Sequence, residues 1–210
     1  MTMSRASKRL ATATAFFATF LGVVTTVGAS TVRQVGFDEL VARSEVAFHG
    51  RVTRIQSFMT PNRQSVYTEV EFQVMETIVG DHQDSVLRLT FPVGRKDGLE
   101  VVVHGLKIPP LGQEGVYFVE STDQRMVNPF YGWKQGQFVV TRDTDKNNPR
   151  VLTADGNPIT SVSPSPTPNS IRISNGTALG IESAPGGSVS TAMFLEDFRQ
   201  VILATAERTR

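Results

Sequence analysis

The sequence predicts a mainly β fold, a sheet curled toward a closed or partly closed barrel, with a short helix before it and a longer helix after it. Three observations carry this. Between residues 45 and 155, short runs of alternating apolar and polar side chains recur with turn residues every ten or so positions, which suits a barrel or sandwich and not alternating α/β units. One run, residues 66–79, alternates for nine positions and then changes phase. Two segments, 37–41 and 194–202, show instead the i, i+3, i+4 spacing of a helix face.

The elements follow in order. Arg5, Lys8 and Arg9 precede the apolar run "LATATAFFATFLGVV", and Val27 and Ala29 then occupy the minus-three and minus-one positions of a signal-peptidase cut. Residues 1–29 therefore read as an export signal, and the mature protein as secreted or periplasmic. An uncleaved anchor is the alternative, since residues 10–27 nearly span a bilayer, but their many Thr and Ala residues lower the hydrophobicity. On the export reading the membrane is involved only transiently, through that signal.

In "VGFDELVARSE", Phe37, Leu40 and Val41 form one face of a short helix that plugs an end of the sheet. "EVAFHGRVTRI" then alternates, with Val46, Phe48 and Val52 opposite Ala47, His49, Arg51 and Thr53. Gly50 falls on the buried face, where a missing side chain marks tight bending or a close backbone. Next, Val66, Thr68, Val70, Phe72 and Val74 share a face opposite Tyr67, Glu69, Glu71 and Gln73; beyond Val74 the apolar set becomes Met75, Ile78 and Val79. A slip of one residue inside a continuous strand is what a β-bulge produces, and bulges bend a sheet toward closure.

"SVLRLTF" points Leu87, Leu89 and Phe91 inward before Pro92 stops pairing. "LEVVV" and residues 116–120, the latter apolar on both faces, flank a Pro-Pro and Gly-rich connection. "WKQGQFVVTR" and "RVLTAD", around the polar turn "DTDKNNP", complete about seven strands.

This places a β domain over residues 30–155. Residues 156–190, rich in Pro, Ser, Gly and Thr, read as a mobile, partly extended linker. Residues 191–207 read as an amphipathic helix with Phe194, Leu195, Phe198, Val201 and Ile202 on one stripe and Ser190 or Thr191 as N-cap. The stripe packs on the same chain across the linker or, alternatively, enters a groove on another protein.

Composition narrows the function classes. The first 29 residues hold three basic and no acidic side chains, leaving 18 Lys and Arg against 20 Asp and Glu, so nucleic acid is not an expected partner. The absence of cysteine excludes disulfides, thiolate metal sites, a cysteine nucleophile and lipidation at a cysteine.

Candidate sites were sought by residue type and spacing. His49, His82 and His104 lack a second ligand at helical or strand spacing, and no His-Glu-x-x-His occurs. Asp143, Asp145 and Asn147 begin like a calcium loop, but Asn148 stands where that loop needs Gly and Ala154 where it needs Glu. Glu69 and Glu71 lie about 7 Å apart along a strand, a separation within the glycosidase range, yet on a solvated face. No Gly-x-Ser-x-Gly, Ser-x-x-Lys or phosphate-cradling loop is present. These observations lead to the expectation of no catalytic residues, no metal and no cofactor. The cluster "NPFYGWKQGQF" supplies the binding candidates, Phe130, Tyr131, Trp133 and Lys134, because flat aromatics bury large area with few rotamers to freeze. The competing reading puts these rings inside, closing the sheet or packing against the C-terminal helix.

The succession "SEVAFHGRV", "VYTEVEFQVMETIVGD", "GLKIPPLGQEGVYFVE" and "YGWKQGQFVV" resembles a family of secreted bacterial β-barrel proteins, some encoded near exported metalloproteases. That family is distantly similar to the netrin-like module of tissue metalloproteinase inhibitors. Over residues 37–142 the resemblance implies an OB-type barrel with helices. The inhibitors' zinc-chelating N-terminal cysteine has no counterpart, since the mature chain would begin at Ser30 or Thr31. The expected function is an exported, non-catalytic binding or accessory module for a protein or cell-envelope component; the alternative is a regulator or inhibitor of a secreted metalloprotease.

Overall fold

The computed structural model describes residues 32–142, 148–165 and 172–209. The export signal and the residues after its cut lie outside the described residues, as do Asp143, Asp145 and Asn147 of the loop weighed for calcium. The described chain runs α1 (Phe37–Arg43), β1 (Val46–Met59), β2 (Val66–Val79), β3 (Val86–Phe91), β4 (Gly94–Lys96), β5 (Leu99–Val101), β6 (Glu114–Val119), β7 (Gln137–Arg142), β8 (Pro149–Thr153), β9 (Ile159–Val162), β10 (Ile181–Ser183) and α2 (Leu195–Thr209). The fold is mainly β. Six strands form one antiparallel sheet in the order β3-β2-β1-β6-β7-β8, while β4 pairs with β5 and β9 with β10.

Both faces of the large sheet are covered, and strand alternation distributes side chains between two cores. Phe37, Leu40, Phe118, Phe138, Phe198 and Ile202 join the two helices to one face. Phe48, Phe72, Leu89, Phe91, Tyr117 and Phe130 fill the other. Strand β6 lies between β1 and β7 and feeds both: Val116 and Phe118 enter the first core, Tyr117 and Val119 the second. All six of its residues are buried, as the two-sided apolar run requires.

The change of phase in β2 is a bulge. His49 faces Glu76 and Gly50 faces Val74, so Met75 has no partner on β1; Ile78 is skipped in the same way between Thr77 and Val79. From Val70 to Val74 the apolar side chains of β2 join the second core, and beyond Met75 the side chains of Ile78 and Val79 join the first. Met75 does not become part of the buried set. It is 43% exposed, because the residue inserted by a bulge leaves the pleat.

Gly50 faces Gly115 across β1 and β6, where added Cβ atoms would stand 2.6 Å from the Gln73 carbonyl oxygen and 2.5 Å from that of Phe138. Strand backbones this close leave no room for side chains. The sheet is nevertheless open in its hydrogen bonding. Its ladder ends at β3 and β8, and among the described residues no pairing joins those two edges.

The β8 edge is covered by the chain's own C-terminal part. Val151 N–H donates to the Met193 carbonyl at 3.0 Å, and Arg150 bridges Phe194. Helix α2 then lies on the first core. The Phe198 ring centroid is 4.9 Å from that of Phe138 and 5.8 Å from that of Phe37, and Arg208 meets Asp38 at 3.0 Å. Burying side chains such as Phe198 and Ile202 stabilises this docking by about 1.5–3 kcal/mol each. The helix begins at Leu195, four residues after the expected start at 191. Residues 189–191 instead make a 3-10 turn whose entry Ser188 caps, its hydroxyl accepting from the Ser190 N–H. No helix among the described residues is long and apolar enough to cross a membrane.

Of the expected linker at 156–190, residues 156–165 and 172–190 are described. Its described residues include β9 and β10, Ile159 is wholly buried, and Leu179 accepts from the Phe37 N–H and bridges Gly36. Small residues allow this approach: a Cβ on Gly36 would stand 2.7 Å from Cβ of Ser165. Composition resembling a linker here serves close backbone packing.

Candidate functional site

The loop that carries the sequence-selected residues is built from the inside. Phe130 is wholly buried, its ring 5.4 Å from Tyr117 and 5.5 Å from Phe91, so it belongs to the second core and offers no surface to a ligand. Tyr131 donates from its hydroxyl to Glu39 Oε1 at 2.7 Å. Burial first, and then the Glu39 carboxylate, push the Tyr131 phenol up to about 12. Buried Gln135 ties the loop to the chain before α1: its amide donates to the Arg33 and Gly132 carbonyls, and its oxygen accepts from the Val35 N–H at 3.0 Å.

Trp133 and Lys134 are half-buried. Trp133 has φ +63°, a left-handed conformation costly for a bulky side chain, immediately after Gly132 at φ +65°. Lys134 Nζ pairs with Asp155 at 2.9 Å. The structure thus divides the four selected residues between core (Phe130), loop anchoring (Tyr131) and a partly accessible edge (Trp133 and Lys134).

A second location was not selected from sequence. Strands β1, β6 and β7 are neighbours, and they bring His49, Arg51 and Arg142 onto Glu114, whose side chain is 7% exposed. Glu114 Oε1 accepts from His49 Nε2 at 3.0 Å and from Arg142 at 2.9 Å, and Oε2 accepts from Arg51 at 2.7 Å. Burial alone would raise the Glu114 pKa. The hydrogen bonds from Arg51 and His49 and the Arg142 charge outweigh it, holding the carboxyl below its ordinary value. An ionised carboxylate only accepts, so the His49 nitrogen facing it carries the hydrogen.

Beside this hub a cleft of about 420 Å³ opens between the start of α2, the start of β8 and the bulged ends of β1 and β2. Ile78, Pro149, Phe194 and Leu195 form its apolar lining, and His49, Glu76, Glu196, Asp197 and Arg199 bring ionisable groups. Three or more titratable groups in one pocket are what a hidden catalytic centre would need. Here Arg199 is bound by Glu76 at 2.5 Å and by Glu196 at 3.2 Å, and His49 by Glu114. Among the described residues the lining includes no Ser, Thr, Tyr or Lys. Among the described residues, the carboxyl group raised above its ordinary pKa is Glu120, through burial, and it does not line the cleft.

The remaining candidates fall apart in space. Arg54 bridges Glu69 and Glu71 at 3.0 and 3.3 Å, and Arg88 holds Glu71 at 2.9 Å. The Arg88 hydrogen bond is the main reason the Glu71 pKa is lowered, leaving an ion-paired face where a glycosidase would need one protonated acid. β1 pairs with β2 and β6 and not with the segment carrying His104, so His49 and His104 do not meet across a ladder. His82 is half-buried with Nε2 lacking a hydrogen-bond partner. Among the described residues no three His, Cys, Asp or Glu side chains are grouped to hold a metal ion.

No protein-family model, curated protein or solved structure matches this chain.

Proposed function

We propose that the protein is an exported, non-catalytic binding module that takes its ligand in the cleft between α2 and the bulged ends of β1 and β2. The observation that carries this reading is the pairing of charges around the cleft. Glu114 is committed to three donors and Arg199 to two carboxylates, which suits recognition by shape and polarity. The apolar share of the lining and the cleft's size fit an occupant of side-chain dimensions.

Export is supported by the basic and apolar N-terminal pattern with its small residues at the cut. We read the curved sheet as a partly closed OB-like barrel, in keeping with the netrin-like resemblance. The bulges, the facing glycines at 50 and 115, and the aromatic core on one face of the sheet support that reading.

The test is site-directed photo-crosslinking in the native culture, with the reactive side chain at position 195 in one strain and at the remote position 102 in another. A defined adduct from position 195 and none from 102 is expected. Equal labelling from both positions would remove the cleft as the ligand site. Hydrolysis of model esters, glycosides or peptides by the pure chain, abolished by His49→Gln, would overturn the non-catalytic reading.

A further inference from the structure

Resting on the cleft as the ligand site, we propose that its occupant is a lysine or arginine side chain carried by an extended peptide segment of a protein partner. The alkyl stem lies on Ile78, Phe194 and Leu195, and the cationic head is met by Glu196 and Asp197. Three carboxylates line the cleft, those of Glu76, Glu196 and Asp197, against the single guanidinium of Arg199. Arg199 is shared between Glu76 and Glu196. Of the other arginines nearby, Arg51 and Arg142 pair with Glu114, whereas Arg150 lies behind the cleft wall on the face of the Phe194 ring, 4.0 Å from its centroid, and donates to the Ala192 carbonyl. Asp197 is exposed and has no hydrogen-bond or ion-pair partner among the described residues.

Among the described lining residues, one guanidinium divided between two carboxylates, with a third carboxylate unpaired, makes the mouth of the cleft negative at the first turn of α2. The α2 N-terminus contributes only about half a positive charge, which Glu196 and Asp197 in its first turn outweigh. An apolar wall ending at a negative mouth matches side chains that lay a hydrocarbon stem on apolar surface and keep a cationic head in water. A volume of about 420 Å³ admits one or two side chains, not a folded domain, so the partner presents an extended segment.

The experiment titrates the ¹⁵N-labelled exported chain with three blocked pentapeptides, Ala-Leu-Lys-Leu-Ala and its versions with norleucine or glutamate at the centre. The lysine peptide is expected to shift the amides of Ile78, Leu195 and Arg199 saturably, and to bind about three- to fivefold more tightly than the norleucine peptide. Asp197→Asn, a substitution at an exposed position, is expected to remove most of that advantage and leave the norleucine affinity unchanged. Raising the salt concentration should weaken the lysine peptide alone. Equal affinities for the lysine and norleucine peptides at these amides, or a preference for glutamate, would overturn the cationic occupant and leave the cleft as a binding site. Shifts confined to Trp133 and its neighbours, or no shift with any peptide, would overturn both.

Discussion

The Glu114 hub makes a stability prediction whose size and pH dependence both follow from its geometry. Glu114→Gln keeps the shape of the side chain, removes its charge and turns one acceptor into a donor facing arginine or histidine. Hydrogen bonds to charged groups contribute about 1.5–3 kcal/mol when buried. Arg51 and Arg142 have side chains 45% and 50% exposed and recover hydration when released. Each of those pairs is therefore worth roughly 0.5 kcal/mol. His49, only 13% exposed, does not recover hydration in this way, and its bond adds about 1.5 kcal/mol.

The expected loss at pH 7 is about 2–3 kcal/mol, which lowers Tm by roughly 5–10 °C for a chain of this size. The folded-state pKa of Glu114 is lowered, so its contribution is fully present above the ordinary carboxylate value and is lost as pH falls through the lower folded value. Urea unfolding of both proteins from pH 7 down to about pH 3 should show the gap narrowing only below about pH 4.3. A gap under about 0.5 kcal/mol at pH 7, or one that does not narrow in acid, would refute the hub as a stabilising ion cluster.

Four further outcomes follow from packing and backbone geometry. Gly50→Ala forces a Cβ against the Gln73 carbonyl and the Phe48 ring and should cost about 1–3 kcal/mol in urea unfolding. Phe130→Ala empties a wholly buried site among Phe72, Phe91 and Tyr117 and should cost about 3–5 kcal/mol, whereas a loss under about 1 kcal/mol would return this ring to the surface. Trp133→Gly should be more stable than Trp133→Ala by about 1 kcal/mol, since the left-handed backbone at this position penalises any Cβ. Met75→Gln, at the exposed bulge, should leave Tm within about 2 °C of the parent.

Strand alternation was legible wherever a strand buries one face, as in β1 and the first half of β2, or both faces, as in β6. The phase slip located the bulge at Met75 because an inserted residue shifts every later side chain to the other face. Closure was not legible, because alternation reports which face is buried and carries no information about whether β3 pairs with another strand. The packing of the described residues within 156–190 was not legible for a related reason. Their burial rests on a few side chains such as Ile159 and Ala178 and on close backbone approach at Gly36 and Gly180, features that composition scales weigh as disorder.

The candidate site was hidden by the same dependence on pairing. His49 and Arg51 share a face of β1, which alternation shows, but Glu114 in "LGQEGVYFVE" looks like a turn acid until the register sets it opposite Arg51 and β7 brings Arg142 alongside. Aromatic density drew attention instead to Phe130, where the rings serve the second core. A buried carboxylate held by three donors stabilises the junction of β1, β6 and β7 because its charge is fully met, and removing it would leave its partners' charges uncompensated. Among the described residues, the negative charge left without a partner beside it is that of Asp197 on the first turn of α2. On the proposed reading, selection in the cleft rests on the helix, on a residue that can change without disturbing the sheet that carries it.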